Sequence, residues 1–162
     1  RTALVGAGRA AQKGNHQESL MNQTIEKFGY PGTLLKEYDH WVVLLRPAQA
    51  TLGALILACK DEATRFSDIT PEAFTEMGKA VTDIERGLAS LFDYRKLNYR
   101  MLMMVDPDVH YHVLPRYESD QTYGQVTFTD PGWPGPPNVA YDNEADATTQ
   151  AKLIEALKAA LA

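Results

Sequence analysis

The sequence predicts an α+β domain: an antiparallel sheet of about five strands, one long helix laid across it, and shorter flanking helices. Three observations carry this. Short runs of branched and aromatic residues follow one another with only turn-length gaps. A single segment, residues 70–91, sustains helical spacing over several turns. The strand-like runs gather before and after that helix and do not alternate with helices one by one. A chain of 162 residues, 44% apolar and 23% charged, fits one domain with a buried core, and no internal repeat or linker divides it.

Residues 1–20 are small, polar and unpatterned, and Met21 follows, so an appended or poorly ordered leader is expected before a domain over 21–162. Its GAGRAAQ stretch lacks the preceding strand and the glycine spacing of a phosphate loop. NQTIEKFGYPG reads as a short helix capped by Asn22 and stopped by Gly29 and Pro31. TLLKEY (33–38), HWVVLLR (40–46) and ALILACK (54–60) read as strands, with PAQATLG (47–53) turning the chain between the last two. The long helix begins at Thr70 as N-cap, with Pro71 in the first helical position and Glu72 in the first turn. Phe74, Met77, Val81, Ile84, Leu88 and Leu91 recur at steps of three and four, an apolar face expected to lie on the sheet as core. KLNYRMLMM (96–104) and VHYHVLP (109–115) are two further strands about the turn VDPD. A Pro/Gly loop, DPGWPGPP, then leads to a last amphipathic helix, TTQAKLIEALKAALA.

A net charge of −5 argues against binding to nucleic acid backbones, which needs clustered positive charge. No run reaches the ~18 apolar residues of a membrane span, and no apolar signal segment is visible, so a soluble cytoplasmic protein is expected. The lone cysteine, Cys59, cannot form an internal disulfide and is expected as a buried strand residue.

Chemistry concentrates in VDPDVHYHVLPRY, residues 105–117, which holds two of the four histidines. Alternation along a strand sets Asp108, His110 and His112 on one face and Val109, Tyr111 and Val113 on the other. The valines and tyrosine can enter the core, leaving the Asp–His–His row facing outward or into a cleft. Three readings fit: two solvated histidines, a metal site using Asp108, His110 and His112, or nucleophilic catalysis by an imidazole whose other nitrogen is held by an acceptor.

DVHYHVLPRY resembles the signature of the histidine triad nucleotide hydrolases and transferases, His-φ-His-φ-His-φ-φ (φ apolar) followed by Pro-Arg. The similarity extends from about Leu34. HWVVLLRPAQATLGALILACK resembles the strand–turn–strand region of that family, FSDITPEAFTEMGKAVTDIERGL the helix after it, and GWPGP a tail of some bacterial members. The resemblance implies an antiparallel sheet with helices, a homodimer, and attack by the middle histidine on the α-phosphorus of a nucleotide, forming a nucleotidyl-histidine. Candidate substrates are a dinucleoside polyphosphate or a nucleoside phosphoramidate. Matched onto this sequence, the nucleophile is His110. His112 lies near the phosphate, with its backbone carbonyl orienting the nucleophile, and the step needs no metal, Mg²⁺ being at most a companion of the substrate.

The sequence departs from the family pattern at four places. Asp108 stands at the first triad position, Ala54 where a histidine follows the glycine of the turn, Arg46 where a polar residue meets the ribose, and MMVDPD where a glycine-rich loop precedes the triad. Asp108 is expected to orient the nucleophile or aid protonation of the leaving group, with Asn98, Arg46, Arg116 and Trp133 as candidate substrate contacts and Leu44, Leu45 and Leu57 as pocket or core. A nucleotide-binding or regulatory protein with a degenerate triad, or a metal-binding protein, are the alternatives.

Overall fold

The computed structural model describes residues 21–162; the expected leader, and His16 within it, lie outside the described residues. Five antiparallel strands form the main sheet: β1 Leu34–Glu37, β2 Trp41–Leu45, β3 Leu55–Cys59, β4 Lys96–Arg100 and β5 His110–Arg116, in the spatial order β1-β2-β3-β5-β4. β5 therefore lies inside the sheet, between β3 and β4. A hairpin of β6, Gln121–Tyr123, and β7, Val126–Phe128, stands apart, and was not foreseen from the sequence.

Three helices complete the fold: α1 Gln23–Lys27, α2 Pro71–Leu91 and α3 Ala147–Leu161. The Asn22 side chain caps α1, accepting from Ile25 N. Thr70 caps α2 by accepting from Ala73 N, with Pro71 where a missing N–H costs nothing. Val43, Leu45, Leu55, Leu57, Cys59, Val109 and Val113 face α2 and α3. Val42, Leu44, Ile56 and Ala58 face the opposite way and pack with Ile25 of α1. Both faces of β2 and β3 are thus covered, which is why these strands read as unbroken apolar runs. None of the described helices is long and apolar enough to cross a membrane.

Two expectations about elements need correction. The expected core face of α2 is rotated. Ile84 and Leu88 are buried, but Ala73, Ala80 and Gly87 fill the rest of the contact, while Phe74 and Leu91 stay exposed. The reason is proximity. A Cβ on Gly87 would come within 2.8 Å of the Leu161 side chain, so α3 approaches too closely there for any larger residue, while at the other end of α2 Trp41 Nε1 donates to the Ala73 carbonyl. The strand expected over 96–104 ends at Arg100, whose partner in the register is His112. Beyond it Met103 adopts φ +51°, and residues 101–109 leave the sheet as a loop.

Candidate active site

The two histidines project from β5 on the face that α1 covers, since His112 pairs with Ile56 and His110 with Ala58 across β3. α1 converts that face from surface to interior: His110 is 1% exposed and His112 7%. Phe28, just past α1, roofs both rings, with centroids 5.6 Å from His110 and 5.9 Å from His112, and the two imidazoles lie 5.2 Å apart. A cleft of about 190 Å³ opens beside them. His110, His112 and Arg46 line one side, Leu102 to Asp106 form a lip, and Val139 closes the end.

His110 Nδ1 lies 2.7 Å from the backbone oxygen of Asp108. A carbonyl only accepts, so Nδ1 carries the proton, and in the neutral form of the ring Nε2 keeps its lone pair. The orienting carbonyl is that of Asp108, not that of His112 as the resemblance implied. The reason lies in backbone geometry: Asp108 precedes β5, so its carbonyl is free of the ladder and turns to the ring two residues on.

The Asp108 carboxylate does not orient the ring and is absent from the cleft lining. It accepts from Thr24 Oγ1 of α1 at 2.9 Å, and the same hydroxyl accepts from Asp108 N at 3.3 Å. The expected side-chain role for Asp108 therefore passes to its backbone. Among the described residues no group of three or more His, Cys, Asp or Glu side chains is placed to hold a metal ion. Asp108, His110 and His112 do not converge as a ligand set, because the carboxylate is turned toward α1.

Arg46 reaches the site from the end of β2. Its Nε donates to His112 Nδ1 at 3.3 Å, Nη2 to the Val139 carbonyl at 2.7 Å, and Nη1 to the Ala48 carbonyl. Burial pushes the His112 pKa down to about 4, and the positive charge of Arg46 works in the same direction. The ring is neutral at physiological pH.

The remaining candidates fall elsewhere. Arg116 shares the face of His112 but lies outside the cleft lining, tied to the Pro/Gly loop. Its Nε and Nη2 meet the two Asp130 carboxylate oxygens at 2.7 and 3.1 Å, Nη1 donates to Asn98 Oδ1 at 2.8 Å, and Nη2 also donates to the Gly135 carbonyl at 2.9 Å. Asn98 and Arg116 thus clamp the Pro/Gly loop to the sheet. Trp133 in that loop is half-buried and outside the cleft lining. Leu44 packs under α1, whereas Leu45 and Leu57 belong to the core beneath α2. Ala54 is fully buried beside Ala50 and Leu114. Burial lifts the Cys59 thiol to about 11, and it has no part in the site. Phe28, Leu102, Val105 and Val139 had no individual signal in the sequence. Leu102 and Val105 were hidden by the assignment of 96–104 to a strand followed by a plain turn.

A family profile described as HIT domain matches residues 30–119. No curated protein sequence matches the chain. Among solved structures, a histidine triad protein from Bradyrhizobium japonicum is 21% identical with a TM-score of 0.65, covering 80% of this chain and 90% of its own. One from Marinobacter aquaeolei is 22% identical with a TM-score of 0.64, covering 79% and 87%. A hypothetical histidine triad nucleotide-binding protein from Sulfolobus tokodaii is 15% identical with a TM-score of 0.63, covering 85% and 89%.

Proposed function

The chain belongs to the histidine triad (HIT domain) family of nucleotide-binding and hydrolysing proteins, and on that premise we propose that it cleaves a nucleotide at its α-phosphate with His110 as nucleophile. One observation carries the reading: Asp108 O holds the His110 Nδ1 proton and leaves an Nε2 lone pair in a buried ring that lines a cleft. Nε2 bonds to phosphorus as the bond to the leaving group breaks. The departing electron pair takes a proton from solvent, and the positive charge formed on the ring is shared with the Asp108 carbonyl. Water then attacks phosphorus and loses a proton to solvent, the N–P bond breaks, and a nucleoside monophosphate leaves with neutral His110 restored. An alcohol or amine acceptor in place of water makes the same site a nucleotidyltransferase.

The cleft favours a nucleoside phosphoramidate over a dinucleoside polyphosphate. Arg46 is tied by hydrogen bonds to His112 and two carbonyls, and Arg100 to the Pro137 carbonyl. The lip instead offers Leu102, Met104 and Val105, the last two 84% and 81% exposed. A tail of further phosphates brings negative charge to a cleft where Arg46 and Arg100 already bond protein acceptors, whereas an uncharged amine leaving group meets apolar side chains. Mg²⁺ is expected to matter only if a polyphosphate is accepted. A second copy of the chain fits the open flank of the sheet. There the outer edge of β4 has no strand partner among the described residues, and Met77, Val81, Tyr99 and Tyr111 form an apolar cleft.

The test is turnover of an adenosine phosphoramidate, diadenosine polyphosphates and ADP, without and with Mg²⁺, beside His110→Ala. Release of AMP that disappears in the variant is the expected result. Near wild-type turnover in His110→Ala sinks the proposal. Nucleotide binding by calorimetry with no turnover of any substrate would make the chain a binding protein.

A further inference from the structure

Two like side chains in this cleft are backed by opposite partners. Behind His110 stands a carbonyl, which can only accept. Behind His112 stands the Nε–H of Arg46, which can only donate, because a guanidinium does not give up its proton in a protein. A neutral imidazole has one N–H, so an obligate donor at Nδ1 forces the proton of His112 onto Nε2. The two rings, 5.2 Å apart, thus have reversed tautomers: a bare Nε2 on His110 and an Nε2–H on His112.

Resting on the reading of His110 as nucleophile, we infer that Arg46 is a positioning residue. It fixes His112 as the Nε2–H tautomer, and His112 thereby donates a hydrogen bond to a non-bridging oxygen of the phosphoryl group under attack.

Arg46 lines the cleft but is held in place by the protein. Nη1 and Nη2 are held by the carbonyls of Ala48 and Val139, which come from different loops and fix the plane of the guanidinium. Nε–H is thereby aimed at the ring. The arrangement also limits what His112 can do. Giving its Nε2 proton to a leaving group would leave an imidazolate, so His112 holds its proton throughout and stabilises charge without transferring it. A donor fixed in place before reaction, in a site closed by Phe28, needs no reorientation as the oxygen gains charge. The groups acting on His112 are Arg46 and Arg100, which with His110 disfavour the imidazolium, and Asp106, which favours it but is engaged by Lys27 at 2.5 Å.

The experiment is long-range proton–nitrogen correlation on ¹⁵N-histidine-labelled protein without ligand, assigned with His110→Gln and His112→Gln. The expected spectrum has a pyridine-like Nδ1 and pyrrole-like Nε2 on His112, the reverse on His110, and no protonation of His112 between pH 8 and about 5. In Arg46→Met the His112 signals should shift toward a tautomer mixture and the ring should titrate at higher pH. kcat should fall by roughly ten- to a hundredfold with KM little changed. Arg46→Lys, another obligate donor, should recover part of both. A protonated Nδ1 on wild-type His112 overturns the assignment, and so does an Arg46→Met variant with unaltered tautomer and kcat. If Arg46→Met fails to fold, the wild-type spectrum and Arg46→Lys decide. If the tautomers are as expected but no substrate turns over, the enzyme reading fails and the Arg46–His112 assignment stands.

Discussion

Replacing Arg116 with methionine should weaken the fold and leave the chemistry standing. The Arg116 side chain is 4% exposed and that of Asp130 0%, and they form a two-point ion pair beneath the Pro/Gly loop. Removing the guanidinium leaves the Asp130 carboxylate buried with the Tyr117 N–H as its remaining donor. Breaking one side of a buried pair costs ~3–5 kcal/mol, a large part of the ~5–15 kcal/mol that holds a typical domain together. At ~2–4 °C per kcal/mol for a domain of this size, Tm should fall by roughly 10 °C. The double variant Arg116→Met, Asp130→Leu should regain most of that, because no unpaired charge remains. Urea unfolding gives the stabilities, and turnover well below the transition gives kcat/KM, which should stay near wild type in both variants. A single variant with an unchanged urea midpoint and lost nucleotide binding would refute this reasoning and return Arg116 to the substrate.

Asp108→Asn should keep turnover close to wild type, since the amide oxygen can still accept from Thr24 and the backbone carbonyl still meets His110; a collapse of kcat measured in the same assay would mean that the carboxylate itself is used. Asp108→His, which restores three alternating histidines, should bring no gain, and a gain would mark the chain as a decayed enzyme. The buried neutral His112 should also make stability depend on pH. Its folded pKa of about 4 lies below the ~6.5 of an exposed histidine, so the unfolded chain binds the extra proton between those values. Stability contributed by this ring is therefore full above about pH 6.5 and lost as pH falls toward 4, on the order of 3 kcal/mol. Urea midpoints against pH for wild type and His112→Gln should diverge across that window, and parallel curves would contradict it.

The elements most legible in the sequence are those whose signal is local. Thr70–Pro71 starts a helix by its own hydrogen-bonding chemistry, and Asn22 does the same for α1. The branched runs of β1, β2, β3 and β5 fall within a residue or two of their expected bounds. The illegible parts depend on a partner distant in the chain. Apolar spacing in α2 cannot reveal that α3 returns much later in the chain and that Leu161 comes against Gly87 too closely for a side chain. The run Met101–Met104 has the composition of a strand, but β5 offers it no pairing beyond His112, so it becomes the lip of the cleft. Arg116 and Arg46 look alike in sequence, each a basic residue at a strand end. Only tertiary placement makes one a clamp on Asp130 and the other a neighbour of His112.

Position 108 shows why residue identity alone misled. An aspartate there looks hostile to phosphate, because a carboxylate beside the substrate would repel it. The structure separates its atoms. The backbone oxygen does the orienting that the nucleophile needs, and any residue supplies that oxygen; the side chain has only to be kept out of the way. Thr24 keeps it there, holding the carboxylate from α1 while accepting from the Asp108 N–H. The same helix leads into Phe28, which roofs both imidazoles. Asp108 therefore joins the roof of the site to its floor through its side chain, and sets the tautomer of His110 through its backbone. A histidine at this position would keep the second link but has no carboxylate for Thr24, so the triad pattern and the stability of this roof pull in opposite directions.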